Sequence, residues 1–196
     1  MIAHDAVLRF VDPMAEALLA RQPVPRKALF IDRDGIVNVD RGYVHTPAQT
    51  QWVPGIFELL CAAYAAGFLP VVVTNQAGIA RGLYDESAFI DYTRWMHGVF
   101  SQHGTPLLAT FFCPHHPQAG VGHYLCDCAC RKPRPGMILA AAEAFKIDLT
   151  RSVLIGDKPT DIEAAVAAGI GRTKLVADAA PQLPALLNIF VPEGVR

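Results

Sequence analysis

Two aspartates stand two apart in "FIDRDG", and a third opens "DKPTD" far along the chain. Carboxylates gathered in one place repel one another, and a cation relieves the repulsion; hard oxygen donors at that density suit Mg2+. Asp32, Asp34 and Asp157 are therefore candidate Mg2+ residues if the fold collects them. Each stretch taken singly reads as a turn or a capped helix start, since Asp-Gly is a common turn signal. With Thr74 in "VVVTNQ" and Lys132 in "CRKP", the same acids supply what phosphoryl transfer needs. Those needs are a nucleophile, a proton donor and acceptor, a cation, and groups that hold the phosphoryl oxygens. Asp32 reads as the nucleophile, Asp34 as the group handling protons, Thr74 as a hydroxyl donor and Lys132 as a positive charge.

A second constellation lies in "CPHHPQAGVGHYLCDCAC", which holds four of the five cysteines. Tetrahedral Zn2+ takes four nitrogen or sulfur ligands, often as two close pairs. Cys113-x-His115 is one such pair; the other is Cys126-x-Cys128 or Cys128-x-Cys130. Four protein ligands make a structural ion rather than a catalytic one, and unmetallated cysteines in a redox switch are the plainer alternative. His116 and His123 read as solvated loop residues. Cys61, on the apolar face of a helix, reads as core, and so does the Trp95/Met96 stripe.

The elements that must position these groups alternate. "KALFID", "FLPVVVTN", "PLLATFF", "SVLIGD" and "TKLV" read as strands, and "GIFELLCAAYAAG", "DESAFIDYTRWMHGVFSQHG", "GMILAAAEAF" and "DIEAAVAAG" as helices. A weak helix is expected near residues 180–188. Strands alternating with helices predict an α/β fold, a doubly wound parallel sheet covered on both faces. Ligands of such sheets bind at the carboxyl ends of the strands. Those ends carry Asp32 and Asp34, Thr74 and Asn75, Cys113 and His115, and Asp157 and Lys158. Residues 1–26 read as an extension with one short helix, capped by Asp12, begun by Pro13 and ended by Pro23 and Pro25. Residues 27–196 read as a single domain carrying a zinc loop at 113–130.

At 196 residues the chain is large enough for one core. Its net charge of −1, with Lys and Arg scattered, gives no basic face for nucleic acid or a membrane surface, which also argues against a zinc-ribbon binding module. No apolar run reaches the ~20 residues of a membrane span, and no signal-peptide pattern opens the chain, so the expectation is a cytoplasmic protein acting on a small molecule.

The ordered stretches "DRDG", "VVVTNQ", "RKP" and "GDKPTD" resemble the four motifs of the haloacid dehalogenase (HAD) superfamily of phosphatases. With "GYVH", "GIARG", "CPHHPQ" and "CRKPRPGM" the likeness narrows to its heptose-bisphosphate phosphatases and spans about residues 28–176. The resemblance implies a Rossmann-like HAD fold with a minimal cap, and an enzyme that removes the 7-phosphate of D-glycero-D-manno-heptose 1,7-bisphosphate, a sugar phosphate on the way to nucleotide-activated heptose; a monomer is the separate expectation for its assembly. It implies an aspartyl-phosphate on Asp32, Asp34 as general acid and base, and Thr74, Arg131 and Lys132 around the phosphoryl group. It assigns Mg2+ to the Asp32 carboxylate, the Asp34 backbone carbonyl and Asp157. It assigns substrate contacts to Asp40, Arg41, Gly42 and Tyr43, to Thr74, Asn75, Gln76 and Ala77, and to Arg131, Lys132 and Lys158. It places the last zinc cysteine directly before "RKP", which selects Cys113, His115, Cys128 and Cys130 and leaves Cys126 free. Histidinol-phosphate phosphatases are the rival branch; the twelve residues between His115 and Cys128, and "GIARG", favour the heptose branch. Two departures are Ile36, where a Thr is frequent, and Ala77, where a Ser is common.

Overall fold

The computed structural model describes residues 7–176 and 183–190. Its strands are β1 (Leu8–Val11), β2 (Lys27–Ile31), β3 (Phe68–Asn75), β4 (Ala109–Cys113), β5 (Val153–Gly156) and β6 (Arg172–Leu175). Its helices are α1 (Ala15–Ala20), α2 (Ile56–Ala65), α3 (Ala77–Ala80), α4 (Glu86–Gln102), α5 (Gly136–Phe145) and α6 (Pro159–Ala168). The six strands form one sheet in the order β1-β4-β3-β2-β5-β6. All neighbours run parallel except β1, which pairs antiparallel with β4, Leu8 opposite Phe112.

The alternation of side chains along a strand decides which helix each residue meets. Phe30, Val71 and Val73 point to the face covered by α1, α5 and α6, where Leu18, Met137, Ile138 and Ala164 pack. Leu29, Ile31 and Val72 point to the other face, against Ile56, Leu59 and Leu60 of α2 and Met96 and Phe100 of α4. Burial on both sides explains why β3 reads as an unbroken apolar run. Asp85 caps α4, its carboxylate accepting from Ala88 N at 2.7 Å.

Several expectations change. The N-terminal segment contributes a strand as well as a helix, and Asp12, the first residue after β1, does not cap α1. Asp12 is buried, and its carboxylate accepts from Met14 N at 2.8 Å and meets His97 Nδ1 at 2.8 Å; the residue at the head of α1 is Met14, with no side-chain cap. Cys61 is exposed, not core. The buried stripe of α2 is Ile56, Leu59, Leu60 and Ala63, and the next position after Leu60 turns about 100° away from it. Met96 is buried and Trp95 packs at the edge of the same core, stacked on Trp52. The weak helix expected at 180–188 appears as a 3-10 helix over Leu183–Phe190, while residues 180–182 lie outside the described residues.

Candidate active site

The carboxyl ends of β2, β3 and β5, with Arg131 and Lys132 from the loop that follows β4, border one cavity of about 550 Å³. Asp32 follows β2 directly, and "DRDG" then turns sharply, Gly35 N donating to Asn38 O at 2.7 Å. Gly35 holds φ +98, and a Cβ there would overlap the Asp157 carboxylate, so only glycine lets the two strand ends approach. Asp157 follows β5, and Asp161 sits one helical turn further on, in the first turn of α6.

Asp32, Asp157 and Asp161 each offer an oxygen within 4.8 Å of the others. Lys132 is buried among them, its Nζ 2.9 Å from Asp32 Oδ1 and 2.7 Å from Asp161 Oδ1, and donating to Val73 O at 2.8 Å. One ammonium does not balance three carboxylates. Burial pushes Asp32 up to about 7, opposed by Lys132 and reinforced by the charges of Asp161 and Asp34. Burial also raises Asp157, and its Oδ1 is enclosed without a hydrogen-bond partner. An orphaned carboxylate oxygen in an acid cluster fits a hard divalent cation. Asp161 was not assigned from the sequence; its spacing of four from Asp157, opening a helix, was the available signal.

The Asp34 side chain stands outside that trio. Arg33 Nη2 donates to its two oxygens at 2.7 and 2.9 Å, and Asn38 Nδ2 donates to Oδ1 at 3.0 Å. Burial alone would raise its pKa, but the Arg33 guanidinium and these hydrogen bonds hold it below the usual carboxylate range. Any share of Asp34 in a cation site is left to its backbone carbonyl, while the carboxylate lines the cavity. Arg33 is fully buried between the rings of Phe89 and Tyr92, each 5.3 Å away, and donates to Val44 O at 2.6 Å.

The cavity wall takes in Asp40, Gly42, Tyr43, Asn75, Gln76, Ala77, Arg131, Lys132 and Lys158 from the expected set, and adds Gly78, Tyr84 and Thr160. Thr74 is not part of the wall: it is buried, and its hydroxyl is bonded to Gln76, which is. Arg41 is not brought in: its guanidinium turns outward to Gln51 Oε1 at 2.5 Å. Lys158 Nζ meets Asp40 Oδ2 at 3.3 Å across the rim. Ile36 is fully buried in the core, so a hydroxyl there has no cavity to face.

The second constellation also closes. Ligand atoms of Cys113, His115, Cys128 and Cys130 lie within 4.8 Å of one another, and Cys126 is outside the group. Sulfur separations are 3.4 Å for Cys113–Cys128 and 3.2 Å for Cys128–Cys130, with His115 Nδ1 at 3.9 and 3.7 Å from Cys113 and Cys130. Ligands at Zn–S and Zn–N bond lengths in a tetrahedron stand about 3.5–3.8 Å apart, so the donor set and spacing fit Zn2+. Hydrogen bonding with Cys113, and then His115, draws the Cys130 thiol down to about 5 against burial, while hydrogen bonding with Cys130 pushes Cys113 up and burial pushes Cys128 up, so without a cation the cluster holds one thiolate readily and resists three. The cluster connects to the acids through the chain: Arg131 donates to His115 O at 2.9 Å, and Lys132 and Asn75 clasp each other, Lys132 N to Asn75 Oδ1 and Asn75 Nδ2 to Lys132 O, both at 3.0 Å. His116 accepts from Gln118 N and Ala119 N, which makes it a loop brace; His123 is exposed.

The chain is similar to known proteins. The HAD-hydrolase-like family model matches residues 129–181. The D-glycero-alpha-D-manno-heptose-1,7-bisphosphate 7-phosphatase of Burkholderia mallei is 51% identical over 152 residues, covering 78% of this chain and 80% of its own. The D-glycero-beta-D-manno-heptose-1,7-bisphosphate 7-phosphatase of Vibrio cholerae is 46% identical over 80% of this chain and 84% of its own. Among solved structures, the D,D-heptose 1,7-bisphosphate phosphatase of B. bronchiseptica, complexed with magnesium and phosphate, superposes with a TM-score of 0.68 at 35% identity, over 87% of this chain and 90% of that one.

Proposed function

The chain belongs to the heptose-1,7-bisphosphate 7-phosphatase family of HAD-like hydrolases, and from that membership we propose that it removes the 7-phosphate of D-glycero-D-manno-heptose 1,7-bisphosphate. The observation that carries the proposal is the acid cluster at the strand ends, where Asp32, Asp157 and Asp161 gather with the Lys132 ammonium, beside a cavity that Lys132 and Asp34 line. The similar proteins carry heptose-bisphosphatase names, and the histidinol-phosphate reading is not favoured.

In this reading an Asp32 oxygen attacks phosphorus, the P–O bond to C7 breaks, and the leaving alkoxide takes a proton from Asp34. The approaching phosphate, an anion, favours the protonated form of Asp34 that this step needs. Asp34 then takes a proton from the water that attacks the aspartyl-phosphate, releasing inorganic phosphate and restoring Asp32. Lys132 and the Thr74 hydroxyl hold phosphoryl oxygens, and Lys132 also keeps Asp32 aimed. The carboxylates of Asp32 and Asp157 and the Asp34 carbonyl, with Asp161 adjoining, would hold Mg2+, which would supply positive charge for the phosphoryl oxygens. Arg131, Lys158, Asp40, Tyr43 and Asn75, placed around the rim, are the groups for the sugar and its far phosphate. Zn2+ on Cys113, His115, Cys128 and Cys130 is structural. The net charge of −1 with scattered cations goes with an enzyme that needs no nucleic acid, and the enzyme is taken to act as a monomer in the cytoplasm.

Phosphate release from the α and β heptose bisphosphates tests the proposal. The native enzyme is expected to release one phosphate per sugar, dependent on Mg2+, and Asp32→Asn is expected to lose nearly all turnover with the fold retained. Robust turnover by Asp32→Asn would sink the nucleophile assignment; inertness of the native enzyme toward both anomers would sink the substrate.

A further inference from the structure

Tyr84 has no part in the reaction as read above, yet it ends a buried chain of hydrogen bonds that reaches the reacting centre. Its hydroxyl donates to Gln76 Oε1 at 2.7 Å, and Gln76 Nε2 donates to Thr74 Oγ1 at 2.7 Å. The same Nε2 lies 3.4 Å from Asp34 Oδ2. Thr74, Gln76 and Tyr84 are 1%, 2% and 8% exposed, so water does not compete for these bonds.

The direction of each bond follows from which groups can donate. The Asp34 carboxylate only accepts, so Gln76 turns its NH2 toward Asp34 and Thr74. That leaves Oε1 facing Tyr84, and an amide oxygen also only accepts, so the phenol is the donor. Burial pushes the Tyr84 phenol up to about 12 against the charge of Arg33, and it keeps its proton at neutral pH. Thr74 Oγ1 therefore receives a hydrogen bond, and its own hydrogen is left over. Among the described residues the Thr74 hydroxyl has no other hydrogen-bond partner.

We propose that Tyr84 is a positioning residue for phosphoryl transfer: by locking the Gln76 amide it keeps the Thr74 hydroxyl hydrogen turned away from Gln76 and free for the phosphoryl oxygens. The inference rests on the reading that Thr74 touches the phosphoryl group. Without the phenol, Gln76 Oε1 is a buried acceptor with no donor. It regains one by turning toward Thr74, which then donates inward and is lost to the substrate. The 3.4 Å contact with Asp34 is a looser restraint than the 2.7 Å bond from Tyr84. The ring itself is held independently of its hydroxyl. His45 stacks on it with centroids 4.3 Å apart, and it lies so close to Gly78 that a Cβ there would overlap it. Phenylalanine at this position keeps the packing and removes only the donor.

The test compares native enzyme, Tyr84→Phe, Thr74→Val and the double variant on heptose bisphosphate and on p-nitrophenyl phosphate, with thermal midpoints alongside. Tyr84→Phe is expected to lower kcat about tenfold on both esters with KM within about twofold, a smaller loss than the roughly 10²-fold of deleting an oxyanion donor, as in Thr74→Val. The double variant is expected to match Thr74→Val within about twofold, because two residues acting through one hydroxyl do not add. Native-like kcat in Tyr84→Phe, or losses that multiply in the double variant, would overturn the proposal. Gln76→Glu provides a second arm: its carboxylate accepts from both Tyr84 and Thr74 and turns the threonine inward, so kcat should fall at least as far as in Thr74→Val. Retained turnover there also overturns the proposal. The aryl ester separates this inference from the substrate assignment. A native enzyme that cleaves it but not the sugar fails only the latter, and one that cleaves neither ester ends both.

Discussion

Arg33 shows how much of the site depends on one side chain that does no chemistry. Its guanidinium is fully buried, clamped between two rings, and through Nε and Nη2 donates to the Asp34 carboxylate and the carbonyl of Val44 in the loop that forms the cavity rim. It thereby aims Asp34 and fixes the rim at the same time. Removing the cation leaves a carboxylate with 17% side-chain exposure short of its main partner. Breaking such a pair from one side costs about 3–5 kcal/mol. Arg33→Met is expected to lose stability on that scale in urea unfolding, and to lower kcat as well because Asp34 is no longer held. An unchanged unfolding midpoint would show that the pair does not support the fold. Arg33→Lys keeps the charge but not the fork that spans both oxygens, so it should recover part of the stability and less of the activity.

The loop from Cys113 to Cys130 acts as a unit. It starts at the end of β4, and its last ligand directly precedes Arg131 and Lys132, so the loop's conformation sets where these cations point. A bound structural zinc contributes on the order of 10 kcal/mol to such a loop. Cys128→Ser and Cys130→Ser are each expected to lose the metal, measured as zinc per chain, and most activity with it. Cys126→Ser should keep both, since its thiol stands outside the cluster. Zinc lost from Cys126→Ser but kept by Cys130→Ser would move the site to the other register. The turn after β2 makes a parallel case of close fit: Gly35 admits Asp157 only because it has no Cβ.

The six-stranded sheet joins both constellations to the N-terminal segment. β1 covers the outer edge of β4, which would otherwise offer unpaired backbone groups to another chain. The segment is fastened at Asp12, whose carboxylate meets His97 Nδ1 at 2.8 Å while His97 Nε2 meets Thr110 Oγ1 at 2.9 Å. This network sits where Asp12 N bonds to Leu108 O, at the start of β4, the opposite end of the sheet from the cavity. Asp12→Ala leaves a buried histidine nitrogen without its partner, a loss of about 1–3 kcal/mol. Urea unfolding of Asp12→Ala should show that loss while kcat stays within about twofold of native. A fall in kcat without a fall in stability would mean that the segment reaches the site by a route other than packing.

The chain reveals those features that nearest neighbours along it decide. Apolar runs ending in Asp32, Thr74, Cys113 and Asp157 could be read as strands with chemistry at their carboxyl ends, because strand period and burial are written in consecutive residues. The spacing of Cys113, His115, Cys128 and Cys130 was legible for the same reason, down to two candidate registers, and the resemblance to a known family chose between them. The rest depended on contacts between residues remote in sequence. "LRFV" is too short and too mixed to announce a strand until β4 offers an edge. Cys61 faces water because the helix turned its Leu59–Leu60 side to the sheet, a rotation that a uniformly apolar helix does not specify. Asp161 becomes part of the acid cluster only when Lys132 arrives from another loop, and Tyr84 matters only because Gln76 lies within reach of its hydroxyl. Hydrogen-bond partners are chosen by close packing of the finished core, where a shift of an ångström makes or breaks the bond.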